Sequence, residues 1–446
     1  MSFKLLSYAV LLALFVPVLS GCDSDDDDDI DPVDQSRTFT VTIDNVGPAN
    51  PVLKSGVFNT PVGASDPAPI GPGGAYEVTF TAGPGQRLSF STMFIQSNDL
   101  FYAFPGSGLP LYLSDGSART GDVTAELNLY DAGTEVNEEP GTGPNQAPRQ
   151  PGPDTGTDEN GVVQRVVDVN DGFKYPGNNE VIRATLEHDG NVGFTFRIEN
   201  VGGQVNGQDI PLSPGSWAVH SDMIAYFERG AVASGGIEAI AEDGNPAPSA
   251  AELAPVTGLT VPLSPGAYAV HTDAVAFFES GTAASGGIEA IAEDGDPSVA
   301  AGELAGVAGI NGLGAFDTPV GASAPAPIGP GGSYTFTFDA SPGELLSFAT
   351  MYIQSNDLYY TFPGQGLELF PGGTAVSGDV TAQVRLYDAG TEVDEEPGVG
   401  LNQAPRQAGP DTGVDENGVV TRVQGTDDGF TYPAPSEIIR VTITSQ

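Results

Sequence analysis

The segment LYDAGTEV occurs twice in this 446-residue chain, at 129–136 and 386–393, without one change. It belongs to a longer series of matches. GVFNTPVGASDPAPIGPGGAYEVTF (56–80) returns as GAFDTPVGASAPAPIGPGGSYTFTF (314–338), and LSFSTMFIQSNDLFYAFPG (88–106) as LSFATMYIQSNDLYYTFPG (346–364). NQAPRQ recurs at 145 and 402, and each copy closes on an alternating segment, EVIRATLE or EIIRVTIT. Such a duplication constrains the fold more than composition does, because both copies must satisfy one supersecondary plan. A second duplication is nested in the later copy. PLSPGSWAVHSDMIAYFERGAVASGGIEAIAEDGNP starts at Pro211, and PLSPGAYAVHTDAVAFFESGTAASGGIEAIAEDGDP at Pro262. The first copy passes from FTVTIDNVGPANPVLKS almost directly to GVFNTP and has no such block. The repeats therefore predict two domains, 37–189 and 191–446, the second enlarged by the duplicated block at 211–300. His188–Asn191 reads as a turn-like link. The first domain is expected to be a shortened one that needs its neighbour for packing.

Periodicity gives the fold class. TFTVTIDNV, AYEVTFTA, RLSFSTMFIQ, VTAELNLYDA and VIRATLE alternate apolar with polar residues and are rich in β-branched and aromatic side chains. Gly, Pro, Asn or Asp flank each one, in a chain with 60 Gly and 37 Pro. This spacing, without long amphipathic helices between strands, predicts an all-β protein of two tandem antiparallel β-sandwiches. SGGIEAIAEDG and SAAELAPV read as short helices at the sandwich edge in the second domain.

The N-terminus reads as an export signal. Lys4 precedes the apolar run LLSYAVLLALFVPVLS, too short for a comfortable membrane span, which ends at Leu19-Ser20-Gly21-Cys22. This resembles a bacterial lipobox, in which the cysteine is lipidated and becomes the mature N-terminus. Cys22 is the sole cysteine, so it has no disulfide partner within the chain. Acyl chains at Cys22 would form a stable membrane anchor. DSDDDDDIDPVDQS (23–36) then reads as a self-repelling, extended tether. The expected location is extracytoplasmic, on a bacterial cell envelope.

The formal charge is −44, from 59 acidic and 15 basic residues. Such a surface repels nucleic acid and anionic lipid headgroups and attracts cations. The repeated acids suggest where. Asp131 and Glu135 flank Gly133, which permits a tight reversal after the strand AELNLY. Both can point into one loop-rimmed hollow, where without a counter-charge each raises the other's pKa. A Ca²⁺ ion, which takes about six to eight hard oxygen ligands, removes that penalty. Asp99 in IQSNDLFY offers a third acid, with Asn98 supplying an amide oxygen or shaping the turn. The equivalent set in the second copy is Asp357, Asp388 and Glu392. On spacing alone, solvated acidic turns remain the ordinary alternative.

The pairing of QSNDLFY with LYDAGTE resembles the spondin N-terminal domain family, whose pattern reads approximately PSPDWF followed by YDAGTD. WAVHSDMIAYFERGAVASGGIEAIAEDG resembles the family's earlier signature, and DAGTEVNEEPGTGPNQAPRQPGPDTG resembles its bacterial branch. The resemblance covers nearly all the chain after the tether. It implies an eight-stranded antiparallel sandwich with one Ca²⁺ at a loop edge. The implied ligands are Asp99, Asp131 and Glu135 in the first domain, and Asp357, Asp388 and Glu392 in the second. The chain departs from the pattern where Glu replaces the last Asp, Leu100 and Leu358 replace the Trp, and Asn98 and Asn356 replace the Pro. Three acids predict an extracellular-module affinity, Kd about 10⁻⁴–10⁻³ M.

Other candidates read more plainly. Glu138, Glu139, Glu395 and Glu396 are expected to be solvated loop acids, and Arg149 and Arg406 to pair with loop carboxylates. His220 and His271 each precede Ser or Thr and then Asp. Neighbours on a strand face opposite ways, so this is no triad by itself, and a structural hydrogen bond is the better reading. No GxSxG, HExxH or Cys/His metal set is present. Trp217 reads as core rather than a sugar platform. The expectation is a non-enzymatic envelope lipoprotein displaying calcium-binding spondin-type domains for adhesion, with an extracellular protein or glycan as ligand and no nucleic acid. The alternatives are a structural spacer with calcium-rigidified loops and, further off, a carboxylate-based hydrolase.

Overall fold

The computed structural model describes residues 35–221, 225–424 and 429–446. The expected signal segment, Cys22 and nearly all of the acidic tether lie outside the described residues. The protein is mostly β, with antiparallel sheets and a few short helices.

The longer strands are β1 (Arg37–Asn45), β2 (Val52–Phe58), β3 (Ala75–Thr81), β4 (Arg87–Phe94), β5 (Leu100–Ala103), β6 (Asn128–Asp131), β7 (Ile182–His188), β8 (Gly193–Asn200), β9 (Leu212–His220), β10 (Leu263–His271), β11 (Ile310–Phe316), β12 (Ser333–Ala340), β13 (Leu345–Tyr352), β14 (Leu358–Thr361), β15 (Arg385–Asp388) and β16 (Ile439–Ser445). The longer helices are α1 (Gly235–Asp243), α2 (Ala247–Leu253), α3 (Gly286–Asp294) and α4 (Ser298–Leu304). The segments read as alternating strands fall on β1, β3, β4, β6 and β7, and those read as helices on α1, α2 and α3.

Two sheets build a first lobe. One runs β3–β8–β7 and ends on the short strand Gly121–Asp122; the other runs β2–β9–β4–β5–β6 and ends on Gln164–Arg165. They share one core, in which Tyr76, Phe194, Phe196 and Ile198 from the first sheet meet Phe90, Phe94, Tyr102 and Val219 from the second. A second lobe repeats the plan. Its sheets run β12–β1–β16 with Gly378–Asp379, and β11–β10–β13–β14–β15 with Thr421–Arg422.

The sheets do not divide where the repeats suggested. β1, at the N-terminal end, sits between β12 and β16, with Phe39 opposite Phe338 and Ser445. Its buried Phe39, Val41 and Ile43 belong to the core of Phe348, Tyr360, Val441 and Ile443. Conversely, His188–Asn191 is not a link between domains. It lies in the hairpin turn from β7 to β8, closed by Asp189 N–H to Gly193 O at 3.0 Å. The first duplicated block supplies β9, which pairs with β2 on one side and β4 on the other. The first copy is therefore not shortened; its missing block arrives later in the chain. The physical reason is locality. A hairpin loop of this length pins β8 beside β7, so β8 takes the place that β1 would otherwise fill.

The helices also differ from expectation, since both lobes have them. α1 and α2 lie against β4 and β2, α3 and α4 against β13 and β11. Ile237 and Ala241 of α1 pack on Phe101, Ala103 and Tyr130, and Ile288, Ile291 and Ala292 of α3 on Ala349, Tyr359 and Tyr387. The central strands β4 and β13 are consequently buried on both faces.

The lobes meet through polar contacts and close backbone approach. Lys54 Nζ lies 2.6 Å from Glu396 Oε1, and Gln86 donates to Gly398 O at 2.8 Å. A Cβ on Gly83 would sit 2.4 Å from Val399 O, so only glycine fits there.

Phe39→Ala is expected to cost about 3–5 kcal/mol, as for other fully buried Phe truncations. Hydrogen exchange locates the damage: amides of β16 should lose protection more than those of β7. The reverse order would place β1 in the first lobe.

Candidate metal centre

The site grows from the end of β6. Leu100 of β5 pairs with Asp131, which sets Asp99, one residue earlier, beside the start of the following loop. Asp99 is fully buried, and its Oδ2 accepts the backbone N–H groups of Thr134 and Glu135, each at 3.2 Å. Asp131 is also buried. Its Oδ1 accepts Gly133 N–H at 2.7 Å and its Oδ2 the Asn137 amide at 2.8 Å. Gly133 has φ +69°, and a Cβ there would meet Val162 N at 2.6 Å. The turn read from the sequence thus needs glycine for both conformation and space.

The third acid is not Glu135. Oxygens of Asp99, Asp131 and Glu159 lie within 4.8 Å of one another, as do those of Asp357, Asp388 and Glu416. Oxygens opposite each other across a Ca²⁺ ion stand about 4.8 Å apart, twice a bond of about 2.4 Å. Glu159 is held there by its backbone, which donates to Thr134 O at 2.8 Å, and Glu416 by the same bond to Thr391 O. Glu135 turns away. Its Oε1 accepts Gly156 N–H at 2.6 Å, and its carboxylate lies with Asp154 and Glu242. Glu392 repeats this with Gly413 at 2.7 Å. The sequence held a signal for Glu159: DTGTDENGVV (154–163) returns as DTGVDENGVV (411–420).

The electrostatics are severe. Asp99 Oδ1 and Asp357 Oδ1 are buried and have no hydrogen-bond partner. Burial pushes the Asp99 carboxyl well above the usual range, and the Asp131 charge pushes it further. Asp357 is raised by burial and then by Asp388 and Asp394. Orphaned buried carboxylate oxygen is costly, and either a proton or a cation relieves it. The donor set consists of hard oxygens, which suits Ca²⁺, Mg²⁺ or Mn²⁺ and not a thiolate- or imidazole-seeking metal. The residues therefore fit a calcium ion.

The two centres differ in one ligand-range residue. Asn137, which donates to Asp131, corresponds to Asp394 in the second copy.

The remaining candidates brace the loop. Glu138 accepts Asn145 N–H and its side-chain amide at 2.9 and 2.6 Å, and Glu395 repeats the pair with Asn402. Asn98 donates to Val136 O at 3.0 Å, and Asn356 to Val393 O at 2.9 Å. Glu139 faces Asn206, while Glu396 takes Lys54 and Thr81 across the lobe contact. Arg149 and Arg406 do not pair with loop carboxylates as expected. Arg149 donates to Gly143 O, Gln96 and Gln146, and Arg406 to Gly400 O, Gln354 and Gln403. The loop turns carbonyl and amide oxygens toward each guanidinium, and burial lowers Arg406 to about 10.

His220 and His271 are fully buried in central strands. Their Nε2 atoms meet Ser89 and Ser347 hydroxyls at 2.8 and 2.9 Å, and their Nδ1 atoms meet backbone carbonyls. Burial lowers the His220 pKa. Trp217 stacks on Phe80 at 5.4 Å and packs against the first core.

A raised folded-state carboxyl pKa means that the folded protein holds its proton more tightly than the unfolded chain. Its contribution to stability is present below the unfolded pKa and is lost as pH rises toward the folded value. Asp99→Asn should therefore raise the chelator-treated Tm at neutral pH and flatten its decline with pH above about 4, while abolishing any calcium-induced rise from that centre. Thermal melts from pH 4 to 8 with and without chelator check this; a lower chelator-treated Tm in the variant would contradict it.

No protein-family model matches the chain, and a search of curated proteins finds no match, so a functional reading must stand on the residues and their geometry.

Proposed function

We propose that the protein is a non-enzymatic cell-envelope lipoprotein that displays two calcium-braced, spondin-type β-sandwiches for adhesion or extracellular ligand binding. One observation carries the reading. The same pair of aspartates meets the same glutamate in both lobes, and each constellation contains a buried carboxylate oxygen without a donor. A solvated acidic turn would face all its oxygens to water, whereas Asp99 Oδ1 and Asp357 Oδ1 are enclosed, with the exposed Glu159 and Glu416 on the solvent side.

We read each lobe as a single eight-stranded antiparallel sandwich, with the ion at one loop edge. Calcium would bind Asp99, Asp131 and Glu159 in the first lobe and Asp357, Asp388 and Glu416 in the second, with backbone carbonyls or water completing the shell. Its chemistry there is charge neutralisation, which fixes the long loop between β6 and Gln164 and its counterpart after β15. The resemblance of QSNDLFY and LYDAGTE to the spondin family supports the adhesion reading, and the lipobox-like Leu19–Cys22 supports a lipid anchor at Cys22. The reading as a calcium-rigidified spacer shares this site and differs in having no ligand on the displayed surface. A carboxylate-based hydrolase would need two acids about 5–10 Å apart across a cleft, whereas these acids gather within 4.8 Å of one another, which makes it the weaker reading.

Calcium should raise Tm in thermal unfolding of the full chain in detergent. For Kd about 10⁻⁴ M, 10 mM Ca²⁺ adds about 2.7 kcal/mol per site. Asp131→Asn together with Asp388→Asn should remove most of the rise; coincident curves with calcium and chelator would end the metal reading. Ligand charge count tunes affinity, so the second lobe, with Asp394 in place of Asn137, should bind several-fold more tightly. Titration of the two single variants, each leaving the aspartate centre of the other lobe intact, tests that order, and Asn137→Asp should narrow the gap. Replacement of Cys22 by Ser should release the protein from the membrane fraction and abolish palmitate incorporation.

A further inference from the structure

We propose that each lobe carries a second site for a hard divalent cation, formed by Glu135, Asp154 and Glu242 in the first lobe and by Glu392, Asp411 and Glu293 in the second. Three distant segments converge on it: the turn after β6, the tip of the long loop, and the last turn of α1. In the first lobe the three carboxylates bring oxygens within 4.8 Å of one another. In the second lobe Glu293 and Asp411 do so together with Glu289, and Glu392 is held nearby by the N–H of Gly413, two residues from Asp411, at 2.7 Å.

An acidic cluster alone would mean little on a chain this acidic. The independent observation is Glu135 Oε2, a buried oxygen with no hydrogen-bond partner on a side chain only 3% exposed, and Glu392 Oε2 at 4% repeats it. Each of these carboxylates lies where a Cβ on the opposing glycine would fall. A Cβ on Gly156 would sit 2.1 Å from the Glu135 carboxylate, and one on Gly413 would sit 2.1 Å from Glu392. The glycine is a cradle that admits the acid and then donates one N–H to it. The other oxygen is left buried without a donor, on the carboxylate that meets Asp154 and Glu242.

The helix adds to the demand for positive charge. Glu242 and Asp243 end α1, and Glu293 and Asp294 end α3, with no basic residue in either last turn. Carboxylates at a helix C-terminus face the negative end of its dipole, where a cation is favoured. Glu242 and Glu293 are themselves buried, at 4% and 3% exposed. No ion pair among the described residues involves any of these acids. A cation here would tie the helix to the loop, whereas the Asp99 and Asp357 centres tie the loop to the sheet.

Bound calcium per chain, measured by equilibrium dialysis of the full chain in detergent at 0.15 M salt, separates the two sites. Asp154→Asn with Asp411→Asn is the preferred variant. Both positions are exposed and have positive φ, 50° and 52°, which Asn tolerates well. Glu242→Gln with Glu293→Gln is the second variant, and circular dichroism melts confirm that each folds. The expected result is one fewer ion per lobe in each variant, with the calcium-dependent Tm rise of the Asp131 centre retained. Asp99→Asn with Asp357→Asn should independently remove a different ion per lobe. If the Asp154/Asp411 variant binds as many ions as the unaltered chain, the second site is overturned, whether or not the first centre binds. If the Asp99/Asp357 variant loses none while the Asp154/Asp411 variant does, the second site stands and the first fails.

Discussion

β1 is hydrogen-bonded along both edges by strands some three and four hundred residues away, and the assembly of the rest follows from that pairing. It carries residues 37–45 into the core of the second lobe, beside β16. Residues 46–51 must then cross to the first lobe, where β2 begins. With β1 committed elsewhere, the first lobe is completed by β8 and β9. The two lobes are thus joined by two chain crossings, one before β2 and one between β9 and β10. The first lobe is one continuous stretch from β2 to α2, whereas the second is completed only by joining β1, from before that stretch, to β10–β16, from after it. Contacts this distant in sequence close slowly, whereas the β7–β8 hairpin closes locally. The hairpin can therefore occupy its place before β16 exists, which keeps β1 available for its final partners.

The second constraint is electrostatic. The sheet edge at Leu100–Asp131 buries two carboxylates, and the twin edge at Leu358–Asp388 places two more together. Backbone N–H groups satisfy one oxygen of each partner, but they leave Asp99 Oδ1 and Asp357 Oδ1 with nothing. The surrounding loop is not loose enough to let these groups swing out. Gly133 presses on Val162, Arg149 is wrapped by the loop's own carbonyl and amides, and Glu138 clasps Asn145. A frame built this firmly around buried carboxylates would hold the proposed cation site in place before an ion arrived, which would reduce the ordering that binding requires.

Much of this was legible in the sequence, and the failures have identifiable causes. Alternation located β1, β3 and β7, because half-buried strands have a period of two; β4 and β6 are buried nearly throughout and were legible by the same apolar–polar alternation in sequence, with their polar side chains buried as well. SGGIEAIAEDG, present in both copies of the nested repeat, and SAAELAPV located α1, α3 and α2, whereas α4 was not read. Strand partners were not legible, since TFTVTIDNV and GFTFRIENV carry the same alternation and can line the same slot. Only the five residues between His188 and Phe194, which make β7 and β8 neighbours, decide between them. At the site, Asp99 and Asp131 were legible because their strands are adjacent and their repeats exact. Glu135 was misplaced because a four-residue spacing across a glycine turn leaves the side chain two choices. The bond from Gly156 to Glu135 selects one of them, and it comes from a segment twenty-one residues on.

The two copies, nearly identical in their acids, sit in different mechanical settings. The long loop of the first lobe rests on the short hairpin at Gln204–Asp209 through Asn206, which donates to Glu139 and Pro140. Its counterpart rests on the other lobe: Glu396 takes Lys54 and Thr81, and Gly398 O takes Gln86. Gly83 lies so close to Val399 that no side chain could separate them. Order in the first loop is therefore felt within its own lobe, whereas order in the second bears directly on the contact between lobes. Lys54 is one of only 15 basic residues against 59 acids, and it is spent on that contact. In a chain that otherwise repels itself, a scarce cation at the lobe boundary and buried acids behind it make the second loop the place where charge and architecture are most tightly joined.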